Sequence, residues 1–80
     1  MTAIIWSKDQ CPYCVQAKSL LQMKNIGFEE RNISNGGWTK DQLLEEVPTA
    51  RTLPQIQIDG NYIGGFSELQ QYLKANYDYR

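Results

Sequence analysis

Asp9-Gln10-Cys11-Pro12-Tyr13-Cys14 is the stretch that decides how this chain folds, and it holds both cysteines of the sequence. It follows the apolar run Ala3-Ile4-Ile5-Trp6 and stands at the head of a helical pattern. Proline suits the first helical turn, because its φ is already set and its missing N–H would have no partner there. Cys11 is then the cap residue, its sulfur facing unpaired N–H groups and the positive end of the helix dipole. That setting favours thiolate over thiol, so Cys11 is expected to be the reactive cysteine. Cys14, three residues on, shares its helical face and is near enough to close a disulfide. The pair reads as a redox couple. Half a zinc site or a structural disulfide are the other readings, and the first needs ligands from a second chain, the second an oxidising compartment. The chain has no histidine, which removes Cys-His catalysis and the usual zinc sites, so no metal is expected.

Working outward, Thr2–Trp6 is β-branched and aromatic without alternation, as in a strand buried on both faces, and Ser7–Gln10 reads as a polar loop. The helix should run from Pro12 to about Asn25, with Cys14, Ala17 and Leu21 as its stripe, Leu20 widening it and Gly27 as its stop. Phe28–Ile33 follows as a second strand, parallel to the first through a right-handed crossover. After the turn Ser34-Asn35-Gly36-Gly37, Thr39 and Gln42 form a capping box, with Trp38 and Leu43 at staple positions. Leu43, Leu44 and Val47 should face inward, and Pro48 should end that helix. Pro54 opens the alternating strand Gln55–Ile58, Asp59-Gly60 signals a hairpin turn, and Asn61-Tyr62-Ile63 returns until Gly64-Gly65 breaks it. A second capping box, Ser67 and Gln70, opens the last helix, whose core side is Phe66, Leu69 and Leu73. Tyr77–Arg80 is expected to fray. The order βαβ-α-ββ-α implies an α/β, thioredoxin-like fold: one domain over 1–80, a four-stranded mixed sheet flanked by three helices.

Bulk properties narrow the function. A net charge of −1 gives no electrostatic reason for a nucleic-acid or anionic-membrane partner. No apolar run approaches the roughly 20 residues of a membrane span, and no signal peptide is visible. Two cysteines without an export signal point to a reducing, cytoplasmic setting. A monomer is expected.

Four pieces of the sequence together resemble the glutaredoxin family over essentially the whole chain. They are Lys8, three residues before the first cysteine; Cys11-Pro12-Tyr13-Cys14; Thr52-Leu53-Pro54 before the third strand; and Gly64-Gly65-Phe66-Ser67-Glu68 before the last helix. The resemblance implies a glutathione-dependent thiol–disulfide oxidoreductase of the dithiol type, reducing protein disulfides and glutathione-mixed disulfides through Cys11 and Cys14. Its co-substrate would be glutathione, and ribonucleotide reductase is a family-level candidate among protein partners. It further implies a cis Pro54, with Leu53 offering its backbone to the cysteine of glutathione like an added strand. The γ-glutamyl carboxylate would sit on the N–H groups of Ser67 and Glu68, with Glu68 also meeting the ammonium. Gly64-Gly65 would let the ligand approach the backbone, Lys8 would meet the glycyl carboxylate with Arg51 adding charge nearby, and Tyr13 would flank the sulfur. Leu53 stands where the family turn carries valine, and Ser67 where an acidic residue is common. Two other roles fit the same pieces: a redoxin serving ribonucleotide reductase and recharged by thioredoxin reductase, or a carrier in which two chains and two glutathiones hold a [2Fe–2S] cluster through Cys11.

Overall fold

In the computed structural model, which describes residues 1–76, the elements are β1 (Thr2–Ser7), α1 (Pro12–Met23), β2 (Gly27–Asn32), α2 (Lys40–Glu46), β3 (Gln55–Ile58), β4 (Asn61–Gly64) and α3 (Phe66–Asn76). The strands form one sheet in the order β2-β1-β3-β4, with β1 parallel to β2 and antiparallel to β3, and β3 antiparallel to β4. The fold is the expected thioredoxin-like one. The reading of 77–80 as a fraying end lies outside the described residues.

β1 is central because both of its faces are apolar. Ala3 and Ile5 enter a core with Ala17 and Leu21 of α1, Ile56 and Ile58 of β3, and Leu69 and Leu73 of α3. Trp6 and Ile4 point the other way, into a smaller core with Leu43 and Val47, Ile33, Trp38 and Leu53. The period of two along a strand produces this split. Each fully buried leucine, Leu21 for example, contributes about 1.5–3 kcal/mol through the area it removes from water.

The local punctuation explains the ends of the elements. At α2, Thr39 Oγ1 accepts from Gln42 N–H at 3.1 Å and Gln42 Oε1 accepts from Thr39 N–H at 2.9 Å, the full capping box. Val47 caps the C-terminus, since the residue before Pro48 disfavours helical backbone. Asp59 and Gly60 both hold positive φ, 52° and 83°, as a tight hairpin turn of this hand requires.

Several boundaries depart from the sequence reading: β2 starts and ends one residue earlier than read, at Gly27 and Asn32, and Gly64 completes β4 rather than breaking it. Ser7 belongs to β1 rather than to the loop, because its backbone pairs in register with Asn32. α1 stops at Met23, and Asn25, not Gly27, takes the left-handed conformation, φ 58°. Asparagine tolerates that region through local hydrogen bonding, which frees Gly27 to start β2. A further correction concerns the cap of α3. Ser67 lies inside the helix, and Gly65 occupies the cap: its carbonyl accepts from Leu69 N–H at 2.9 Å, and its N–H donates to Glu68 Oε1 at 2.9 Å.

Candidate functional site

The loop between β1 and α1 is clamped from below. Asp9 accepts at one carboxylate oxygen from Asn32 Nδ2 and at the other from Asn35 Nδ2, each at 3.1 Å, while its N–H donates to Ser34 Oγ. Gln10 turns through φ 56°, and Cys11 emerges as the extended cap of α1 with Pro12 in the first turn. Cys11 and Cys14 are joined as a disulfide, their Cα atoms 5.2 Å apart. Cys14 N–H donates to Cys11 Sγ at 3.2 Å, so the first turn aims a free donor at the outer sulfur. Cys14 is 1% exposed against 7% for Cys11, which makes Cys11 the sulfur an incoming thiolate can reach. Leu53 O lies 3.7 Å from Cys11 Sγ, and the Leu53–Pro54 peptide is cis, as expected.

Eight residues singled out from the sequence line one groove of about 350 Å³: Tyr13 from α1, Thr52, Leu53 and Pro54 from the loop before β3, and Gly65, Phe66, Ser67 and Glu68 at the head of α3. Tyr13 is exposed and leans on the Phe66 ring, centroids 5.9 Å apart. With Gly65 as cap, the N–H groups of Phe66, Ser67 and Glu68 are those of a first helical turn. Lys8 lies outside this groove. It lines a cavity with Arg51, Lys40, Thr52 and Leu53, and another with Cys11 and Cys14. The site is therefore drawn out along the surface, from Lys8 and Arg51, past Cys11 and Leu53, to Glu68.

The glutaredoxin family model matches residues 3–63 of the chain. This chain belongs to the glutaredoxin family. It is 38% identical to glutaredoxin 1 of Rickettsia conorii over 69 residues, covering 85% of this chain and 68% of that protein. It is 31% identical to glutaredoxin 1 of Escherichia coli, covering 98% of this chain and 99% of that one. The structure of the reduced Escherichia coli glutaredoxin superposes with a TM-score of 0.84 at 31% identity, over 98% of this chain and 99% of that one. Glutaredoxins are thiol–disulfide oxidoreductases that use glutathione as reductant, and the Cys11–Cys14 pair makes this one of the dithiol type.

For a glutaredoxin the clamp on Asp9 matters, because it fixes the approach of the chain to Cys11. Sequence reading passed over it, although Asp and Asn around a turn were its signal. Also missed was a polar relay beneath α1, where Glu30 Oε2 accepts from buried Ser7 Oγ at 2.7 Å and from Lys18 Nζ at 2.8 Å. The Lys18 ammonium, then the Ser7 hydroxyl, hold the Glu30 carboxyl below its ordinary value. Gln55 joins the groove loop to the last strand, donating to Thr52 O at 2.8 Å and accepting from Tyr62 OH at 2.6 Å.

Gly64 serves the site through sterics. It holds φ 127°, and a Cβ there would meet Glu68 Cγ at 2.8 Å. Gly64→Ala is expected to cost about 1–3 kcal/mol and to displace the first turn of α3. Gly65→Ala, whose Cβ would sit 3.4 Å from Glu68 Oε1 and from Pro54 O, is expected to cost clearly less. Urea unfolding of the two variants side by side measures the difference, and equal losses would refute the steric account.

Proposed function

We propose that this glutaredoxin depends on glutathione, and that the groove from Tyr13 to Glu68 receives it. The convergence of eight residues from three separate parts of the chain on one groove beside Cys11 carries this reading. The sulfur of glutathione lies against Cys11, with Tyr13 alongside and the Leu53 backbone pairing with its cysteine. Its γ-glutamyl carboxylate takes the N–H groups of Ser67 and Glu68 at the head of α3. Glu68 meets the neighbouring ammonium while also bracing Gly65 N–H, and Lys8, with Arg51 beside it, takes the glycyl carboxylate. A buckwheat glutaredoxin, 25% identical with a TM-score of 0.74 over 91% of this chain and 68% of that one, was solved as a complex with glutathione, which supports the assignment.

In the cycle, the Cys11 thiolate attacks a protein disulfide or a glutathionylated cysteine and forms a mixed disulfide. Cys14 resolves it, leaving the Cys11–Cys14 bond, or glutathione attacks directly. Two glutathiones return the couple to its dithiol and leave as glutathione disulfide. Protein disulfides, with that of ribonucleotide reductase as the first to try, are the substrates of the dithiol route. The protein acts as a cytoplasmic monomer without a metal. Among the described residues no helix is long and apolar enough to cross a membrane.

The test is NADPH consumption with a glutathione-mixed disulfide as substrate, coupled either through glutathione and glutathione reductase or through thioredoxin reductase alone. Turnover is expected only in the first arrangement. Lys8→Ala should then raise the KM for glutathione about tenfold with little change in kcat, the effect of losing one charge-assisted contact. Turnover only with thioredoxin reductase would overturn the glutathione site, and a coloured protein after anaerobic purification would favour the cluster carrier instead.

A further inference from the structure

Against the disulfide, and sharing no lining residue with the groove, lies a cavity of about 490 Å³ whose lining includes Lys8, Asp9, Cys11, Cys14, Lys18 and Asn32. Lys18 follows Cys14 by one helical turn, so the two side chains share a face of α1. Its ammonium, partly exposed, pairs with Glu30 Oε2 at 2.8 Å, and that same oxygen accepts from Ser7 Oγ at 2.7 Å. Ser7 is itself almost fully buried at the end of the central strand. A cation one helical turn from the inner cysteine, lining the same cavity, is thus tied by a relay anchored in the sheet.

We propose that Lys18, positioned by Glu30 and Ser7, stabilises the Cys14 thiolate as it leaves when the disulfide is reduced. In that step a thiolate attacks Cys11 Sγ and forms a new S–S bond to it. The Cys11–Cys14 bond breaks, and its electron pair departs on Cys14 Sγ, which later takes a proton from solvent. A second thiolate attacks the sulfur attached to Cys11, frees the Cys11 thiolate and leaves as disulfide, so two thiols lose the two electrons that the protein gains. Exchange is faster when the leaving thiolate is better stabilised. A cation one turn away provides this across the cavity that both residues line, a space open enough to solvent that added salt should weaken the effect. Ser7 and Glu30 act as positioning residues, for neither lines the cavity.

This proposal rests on the Cys11/Cys14 couple, not on the glutathione groove, so its test uses a small neutral monothiol. The oxidised protein is mixed with 2-mercaptoethanol, quenched in acid, alkylated, and freed Cys14 counted by mass spectrometry. Lys18→Met is expected to slow release about fivefold, with Lys18→Arg close to wild type and the gap narrowing in 1 M salt as charge is screened. Glu30→Gln, which unties the lysine but keeps an acceptor for Ser7, should fall between. In a Cys14→Ser background with 2-mercaptoethanol attached to Cys11, the gap should vanish, because Cys14 is no longer the leaving group. An unchanged rate in Lys18→Met, or equal slowing in the Cys14→Ser background, would overturn the proposal. So would a slowing that salt does not touch and arginine does not restore, which marks the ion pair as structural only. Thermal melts confirm that each variant is folded. A wild-type disulfide that the thiol cannot reduce would remove the couple itself, a separate failure.

Discussion

Cys11→Ser is expected to bring turnover down to the rate of uncatalysed exchange, with every substrate. Both branches of the cycle pass through the Cys11 thiolate, and a serine hydroxyl at the same cap stays protonated at neutral pH and is a far weaker nucleophile toward sulfur. The structure leaves no substitute: Cys14 is the other cysteine, and it is buried behind Cys11 at 1% exposure. Cys14→Ser should behave differently. Reduction of a glutathione-mixed disulfide needs only Cys11 and glutathione, so that activity should survive. Reduction of a protein disulfide should drop by an order of magnitude or more, because the resolving thiol is then supplied from solution rather than held in place. Assaying both variants with a glutathionylated peptide and with a protein disulfide separates the roles. Equal loss in the two would refute the division of labour between them.

Trp6→Ala carries the largest expected effect on stability. The indole is fully buried and sits edge-on to Trp38, ring centroids 5.4 Å apart, with the Arg31 guanidinium 5.0 Å from its own centroid and 4.3 Å from that of Trp38. Truncating a buried aromatic typically costs about 3–5 kcal/mol. A domain of this length has in all roughly 4–12 kcal/mol of stability, so the variant should lose a large share of it and melt lower by on the order of 20 °C. Trp38→Ala removes a partly buried partner from the same cluster and should cost noticeably less. Urea unfolding at 25 °C ranks the two, and a Trp6→Ala loss below about 1 kcal/mol would mean that the smaller core contributes little. Activity should fall along with stability, since Leu53, beside the active-site sulfur, packs against the same cluster.

What could be read from the sequence follows the range of the signal. The Thr39/Gln42 box and the Asp59-Gly60 turn are written within four residues of themselves and stand as read, whereas the alternation of β3, read as one buried face, places Ile56 and Ile58 in the core but leaves Gln55 buried as well. The Ser67/Gln70 box was written just as locally, yet Gly64, at φ 127°, turns the chain early enough for Gly65 to take the cap. Asn25 displaced Gly27 as helix stop because two residue types tolerate the same conformation, and composition does not choose between them. β2 alternated poorly because it is an edge strand, paired to β1 alone, and part of its polar surface is used: Arg31 covers two tryptophans and Glu30 holds Lys18. The Ser7–Glu30–Lys18 relay joins residues that meet only after β1 and β2 have paired, and no short window contains it. The site residues were legible as a set because a known family arrangement tied distant pieces together. That Lys8 stands apart from the Tyr13–Glu68 groove became visible only in three dimensions.

The two faces of β1 lead to separate cores, and the groove lies on the seam between them. Its Leu53 wall packs with Trp6, Leu43 and Val47, while its Phe66 wall packs with Ile5, Leu21 and Leu69. Heritable change on one wall is therefore largely insulated from the other. A lineage could remodel the loop that greets a protein substrate while the helix that greets the small thiol drifts on its own schedule. The central strand, the Gln55 side chain that ties Thr52 O to Tyr62 OH, and the approach of Leu53 O to Cys11 Sγ are what keep the two halves in step, and that is a small number of positions for selection to guard.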